Sequence, residues 1–151
     1  MEGLDNTFLA MNGDVLTSLH YRELLRHHRR AGNALTIAAK IQTTQLDYGV
    51  LSLERSQPDL CRLNDYEEKP EFTSLVSMGV YMLEPEVLER IPEGQHYDVP
   101  DLVRALLEAN EPVGALQYDG FWLDIGHPDD YAEALRIEEE VGDEMLIGRE
   151  P

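Results

Sequence analysis

A chain of 151 residues with 42% hydrophobic and 7% aromatic content has the composition of one globular domain with its own core. Its 30 acids against 12 bases leave a formal charge of −18, which opposes binding to nucleic acid or to an anionic membrane surface as a general activity but does not exclude a local cationic pocket. Cys61 is the only cysteine, so no internal disulfide framework can form, and a reducing, cytoplasmic setting is expected. Neither a basic-then-apolar leader nor an apolar run of about 18 residues is present, so no membrane role is expected.

Residues 1 to 7 carry no periodic pattern, and the chain reads as beginning in the middle of a fold. Phe8-Leu9-Ala10-Met11 is an unbroken apolar run, the pattern of a strand covered on both faces. It runs into Asn12-Gly13-Asp14, which reads equally as a turn or as a strand end presenting a carboxylate where open α/β sheets bind ligands. Thr17 or Ser18 is expected to cap a helix carrying Leu19, Leu24 and Leu25. The cluster His27, His28, Arg29 and Arg30 reads as the solvated end of that helix, complementing its dipole, and Gly32 as its stop.

Leu35 to Ala39 is the next strand, and strand, helix, strand implies a parallel βαβ unit. Tyr48 to Leu53 reads as a strand with an early glycine, Gly49, a bulge or a point of close backbone approach. Glu54 to Asp59 reads as a polar loop, and Leu60 to Tyr66 as a strand leading to Glu67-Glu68-Lys69-Pro70. Pro70 biases Lys69 toward extended backbone. Leu75 to Leu83 is a long apolar strand with Gly79 inside it. Glu84-Pro85-Glu86 opens a short helix through Ile91, and Asp98 or Val99 begins another bearing Leu102, Val103, Leu106 and Leu107.

Val113 to Tyr118 and Gly120 to Ile125 are two further strands, with Asp119-Gly120 as a hairpin-like turn. Pro128-Asp129-Asp130 starts a last helix bearing Tyr131, Ala134, Leu135 and Ile137, and residues 138–151 form an acidic tail expected to fray. No internal repeat or linker argues for a second domain, so residues 1–137 are taken as one.

Asp14 and Asp124 stand out because each lies among apolar neighbours, where a carboxylate must be paired, hydrogen-bonded or bound to a cation. Converging at one sheet edge, they would suit Mg²⁺, which takes few protein ligands; the plainer reading makes each a helix cap. Lys69 could neutralise a phosphate and Glu68 could accept sugar hydroxyls, against the plainer reading of a surface ion pair.

Five segments occur together in one order: FLAMNGD at 8–14, DYGVL at 47–51, YEEKP at 66–70, SMGVYML at 77–83 and DGFWLDIGHPDDY at 119–131. In these the chain resembles the sugar-1-phosphate nucleotidylyltransferases, the family of glucose-1-phosphate thymidylyltransferase and mannose-1-phosphate guanylyltransferase. The resemblance covers about residues 8 to 135. It implies an α/β, Rossmann-like fold with a mixed, mainly parallel sheet flanked by helices. It further implies Mg²⁺-dependent transfer of a nucleoside monophosphate from an NTP to a hexose 1-phosphate, releasing pyrophosphate.

Carried over, Asp14 and Asp124 would be the metal ligands and catalytic acids, and Lys69 would hold the sugar phosphate. Glu68, Gly49 and Gly79 would contact the sugar, with Trp122 and Gly120 shaping that side. The family's Gly-rich G-x-G-T-R-L-type loop and P-K-P lysine, which hold the nucleotide, are absent from these residues. The chain therefore resembles the C-terminal portion of the catalytic domain, without its N-terminal βαβ portion. It is expected to be inactive alone and to act with a complementary N-terminal half. The alternatives are a non-catalytic sugar-phosphate binding or regulatory module, and a structural fragment that self-associates as a homo-oligomer.

Overall fold

The computed structural model describes residues 5–57, 60–126 and 136. Among the described residues, eight strands, two α-helices and a 3₁₀ segment follow in the order β1 (Phe8–Met11), β2 (Val15–Thr17), α1 (Tyr21–Ala31), β3 (Leu35–Gln45), β4 (Val50–Gln57), β5 (Leu60–Glu67), β6 (Glu71–Leu83), the 3₁₀ segment (Pro85–Arg90), α2 (Val99–Glu108), β7 (Val113–Gln117) and β8 (Trp122–Asp124). The helix expected from Pro128 and the tail at 138–151 lie outside the described residues.

The chain divides into two compact units, Met1–Lys40 with Ser77–Pro151, and Ile41–Val76. In the first, the sheet order is β1-β6-β3-β7, and a second small sheet joins β2 to β8. β1 pairs antiparallel with β6, and β3 parallel with β7. Glu84 N donates to Ala34 O at 2.9 Å, placing the end of β6 beside the start of β3, so these neighbours also run oppositely.

The fold is α/β with a mixed sheet, but the expected predominance of parallel pairing is corrected: β3–β7 is the parallel pair. β1 and β3 do run the same way around α1, as strand-helix-strand predicts. They are separated by β6, which makes a split βαβ rather than an adjacent pair.

Strand alternation assigns side chains to two cores. Val80 and Met82 join Met78, Ala38, Leu24 and Val15 on the α1 side, with Leu9 and Leu25 packed against them. Tyr81 and Leu83 join Leu35, Val87, Leu102 and Leu106 on the α2 side, with Phe8, Ala10 and Ile37. Both faces of β1 are therefore covered, as its apolar run implies. Its residues are nevertheless half-buried, and Met11 is exposed, because β1 lies at an edge of the described sheet.

The start of α1 differs from expectation. Thr17 belongs to β2, and the cap position falls to His20, with no side-chain cap bond. The helix end is as read: Gly32 at φ 64 adopts the left-handed conformation, and its N–H bonds back to Arg29 O and His28 O. The basic cluster needs correcting at His28, which is fully buried. Its Nε2 donates to Glu84 Oε1 at 3.0 Å, and Nδ1 shares a hydrogen bond of 2.8 Å with Thr36 Oγ1. α2 is capped by Asp98, which forms a reciprocal capping box with Asp101.

Two further expectations fail for reasons of pairing. Glu54 to Gln57 continue as strand rather than loop, because β4 and β5 form an antiparallel hairpin that satisfies their backbone. β7 and β8, separated by Asp119-Gly120, are not a hairpin, since β7 pairs with β3 and β8 with β2.

Candidate active site

In the first unit, the turn after β1 is held by Gly79. Asn12 N donates to Gly79 O at 2.9 Å, and Gly79 N donates to Ser77 Oγ at 3.2 Å. Gly79 has φ 72, and a Cβ there would lie 2.8 Å from Asn12 Nδ2 and 3.2 Å from a Val15 methyl, so glycine is needed for both conformation and space. Its role in the described residues is to close the backbone under the Asn12–Asp14 turn.

Asp14 is then delivered beside Asp124 by the β2–β8 pairing, in which Val15 faces Asp124. Ile125 N donates to Asp14 O at 2.8 Å, and Gly126 N donates to Asp124 Oδ1 at 3.0 Å. The two carboxylates converge on Gly126: a Cβ there would sit 3.1 Å from Asp14 Oδ2 and 3.1 Å from Asp124 Oδ1. Asp14 does not cap α1, whose cap position is His20. Asp14 is exposed and Asp124 half-buried, so the pair opens to solvent.

No group of three or more His, Cys, Asp or Glu suited to a metal occurs among the described residues. A two-carboxylate edge over a glycine gap fits a hard cation that keeps several water or phosphate oxygens, as Mg²⁺ does, and does not fit an all-protein cage.

The segment leading to Asp124 is tied down from several sides. Lys40 Nζ, midway along β3, donates to Gly120 O. Phe121 O accepts from Thr17 Oγ1 at 2.9 Å and from Ser18 N at 3.1 Å, while Tyr118 and Ser18 share a hydroxyl bond of 2.8 Å. Trp122 Nε1 donates to the carbonyl of the buried Met78 at 2.9 Å. The Tyr118 ring closes over Gly120. Asn12, Lys40, Tyr118 and Gly126 were not singled out as site residues from sequence; Lys40 carried one signal, being one of only two lysines.

The second unit holds Gly49, Glu68 and Lys69. Lys69 is not extended as its following proline suggests: it has φ 46, a left-handed backbone that costs a non-glycine residue strain. It is held there by neighbours that bond its peptide environment, since Leu46 N donates to Pro70 O at 3.1 Å and Gln45 Nε2 to Lys69 O at 3.4 Å. Gly49 and Glu68 are brought together by Tyr66, whose ring lies over Gly49 and whose hydroxyl donates to Glu68 Oε2. That hydrogen bond, with a smaller contribution from burial, pushes the Tyr66 phenol above its ordinary value.

Residues 2–140 match the model of the nucleotidyl transferase family. The chain is 34% identical over 139 residues to UTP–glucose-1-phosphate uridylyltransferase of Synechocystis, covering 87% of this chain and 35% of that protein. It is 30% identical over 143 residues to mannose-1-phosphate guanylyltransferase 1 of Arabidopsis thaliana, covering 91% of this chain and 37% of the relative. Among solved structures, HddC from Yersinia pseudotuberculosis superposes with a TM-score of 0.58 at 21% identity, over 87% of this chain and 55% of that one, a likeness of fold. The chain thus spans about a third of the length of the curated relatives it matches. By the match over almost its whole length, this chain belongs to the nucleotidyl transferase family, among the sugar-1-phosphate nucleotidyltransferases.

Proposed function

We propose that the chain supplies the metal acids and the sugar-phosphate side for Mg²⁺-dependent transfer of a nucleoside monophosphate from an NTP to a hexose 1-phosphate, giving an NDP-sugar and pyrophosphate. The observation that carries this is the convergence of Asp14 and Asp124 on Gly126, read beside relatives named for that reaction. Asp14 and Asp124 would hold the cation, which when bound neutralises charge on phosphate oxygens. The chain's own contribution is placement. β2 and β8 hold the two carboxylates at one edge, and Trp122, anchored to Met78 O, keeps that edge in register. Lys69 would meet the sugar phosphate as a point charge, and Glu68 would accept a sugar hydroxyl. No protein nucleophile is required.

Because the Gly-rich nucleotide loop is not in these residues, turnover is assigned to the chain together with a nucleotide-binding half. The test combines the two in trans with Mg²⁺, UTP or GTP, and glucose 1-phosphate or mannose 1-phosphate, and measures pyrophosphate. Release that is lost with Asp124→Asn supports the reading, and a folded assembly releasing none with any pair overturns it. A sugar-phosphate binding module is the second reading, favoured by the gathering of Gly49, Tyr66 and Glu68 at one end of the β4–β5 hairpin. It expects sugar-phosphate binding by the chain, weakened by Lys69→Ala, and no pyrophosphate with any partner. No described helix is long and apolar enough to cross a membrane, and a reducing, cytoplasmic setting is proposed from the single Cys61.

A further inference from the structure

Tyr66 engages two candidate sugar-side residues at once. In a strand, residues two apart share a face, so Tyr66 and Glu68 project together from β5 and its end. Across the hairpin Leu51 faces Tyr66 and Val50 faces Glu67, which brings Gly49 opposite Glu68. The Tyr66 hydroxyl donates to Glu68 Oε2, and the ring lies so close over Gly49 that any Cβ there would overlap it. An aromatic ring covering a cross-strand glycine is a common packing device, and it accounts for the ring. It does not account for the hydroxyl. An ionised glutamate can only accept hydrogen bonds, and the phenol is a donor of the same kind as a sugar hydroxyl.

We propose that Tyr66 is a specificity-determining residue of the sugar side: its phenol is the resident donor on Glu68 that a sugar hydroxyl must replace. This rests on the reading of Glu68 and Lys69 as sugar-phosphate residues. Tyr66 is 54% exposed, so turning its ring away from Gly49 and Glu68 gives up little buried surface. A ligand with a donor hydroxyl restores the bond that it displaces. A ligand without one leaves Glu68 without its donor, and so is discriminated against wherever its binding needs that space. Apparent affinity for the sugar is lowered by the fraction of molecules in which the phenol still holds Glu68. Inorganic phosphate, which needs only Lys69, is indifferent to the state of Tyr66.

The test titrates the full chain and its Tyr66→Phe variant calorimetrically with glucose 1-phosphate and with inorganic phosphate. Phenylalanine keeps the ring over Gly49 and removes only the competing donor. The expected result is glucose 1-phosphate binding tightened about two- to fivefold, the size of an exposed polar contact, with inorganic phosphate unchanged. Wild-type binding of glucose 1-phosphate with no tightening in the variant overturns the role of Tyr66 and leaves the sugar reading standing. Equal tightening of both ligands also overturns it. Binding of glucose 1-phosphate by neither form overturns the sugar reading and the inference with it.

The contact is tested independently of any sugar by the Tyr66 phenol titration in ¹³C-tyrosine-labelled protein. The titration should fall back toward the ordinary value in Glu68→Gln, and an unchanged titration would show that the phenol does not rest on Glu68.

Discussion

At the scale of single residues, the arrangement turns on what Gly126 lacks. The 3.1 Å gap from its missing Cβ to each of Asp14 Oδ2 and Asp124 Oδ1 is tighter than ordinary van der Waals contact, so an added methyl must push the carboxylates. Gly126→Ala should therefore weaken Mn²⁺ binding roughly tenfold or more while leaving the melting temperature nearly unchanged. Electron paramagnetic resonance would read the affinity, with fluorescence of the single tryptophan, Trp122, as a second probe. Asp14 was legible as a candidate because an acid ended an apolar run. Gly126 was not, because a glycine's spatial neighbours leave no mark on its local sequence.

His28 shows the same limit more sharply. Its neighbours in sequence are basic and solvated, yet it is buried between Thr36 and Glu84, with Asn33 Nδ2 donating to Thr36 Oγ1 and Thr7 Oγ1 to Glu84 Oε1. His28→Ala should cost about 2–4 kcal/mol in urea denaturation, through lost packing and orphaned polar partners. The exposed Arg29→Ala should stay within about 0.5 kcal/mol.

At the scale of elements, helix ends follow residue type where the chemistry is local and depart from it where a distant segment intervenes. Gly32 and the Asp98 cap act within one turn of chain, and both fell where residue type places them. The start of α1 moved because Thr17 was recruited into pairing with β8, a partner more than a hundred residues away.

The Asp98 cap makes a pH-dependent prediction. Its carboxyl is held below the ordinary value of 3.8, chiefly by accepting the Asp101 N–H; desolvation opposes this, and the Asp101 side chain, His96 and Arg104 each add a smaller lowering. A group whose folded pKa is depressed contributes fully above its unfolded pKa and loses that contribution as pH falls through the folded value. Asp98→Asn, which can still cap, should therefore flatten the fall in melting temperature between about pH 5 and about pH 2. An acid limb identical to wild type would show that the cap carries no linkage.

At the scale of the molecule, the two units differ in how well they bury their apolar residues. Met78 to Leu83 of β6 lie in the first unit and are almost wholly buried. In the second unit Leu51, Leu53, Leu63 and Tyr66 are each 50% to 55% exposed. Hydrogen exchange should therefore run markedly faster in the β4–β5 hairpin than in Met78–Leu83, because local opening of the hairpin uncovers little further apolar surface. Equal protection of the two would contradict this.

The sequence by itself determined the fold class, the family and the presence of Asp14 and Asp124 at strand ends, because unbroken apolar runs, glycine stops and ordered motifs are properties of neighbouring residues. Strand partners were decided only by the tertiary structure: β6 between β1 and β3, β8 against β2, and β1 at an edge. The left-handed backbone of Lys69, the burial of His28 and the glycine gap shared by the two acids belong with them. Each depends on which distant segments meet, and that is settled by burying both faces of one sheet at once, a condition on the whole chain that no local pattern expresses.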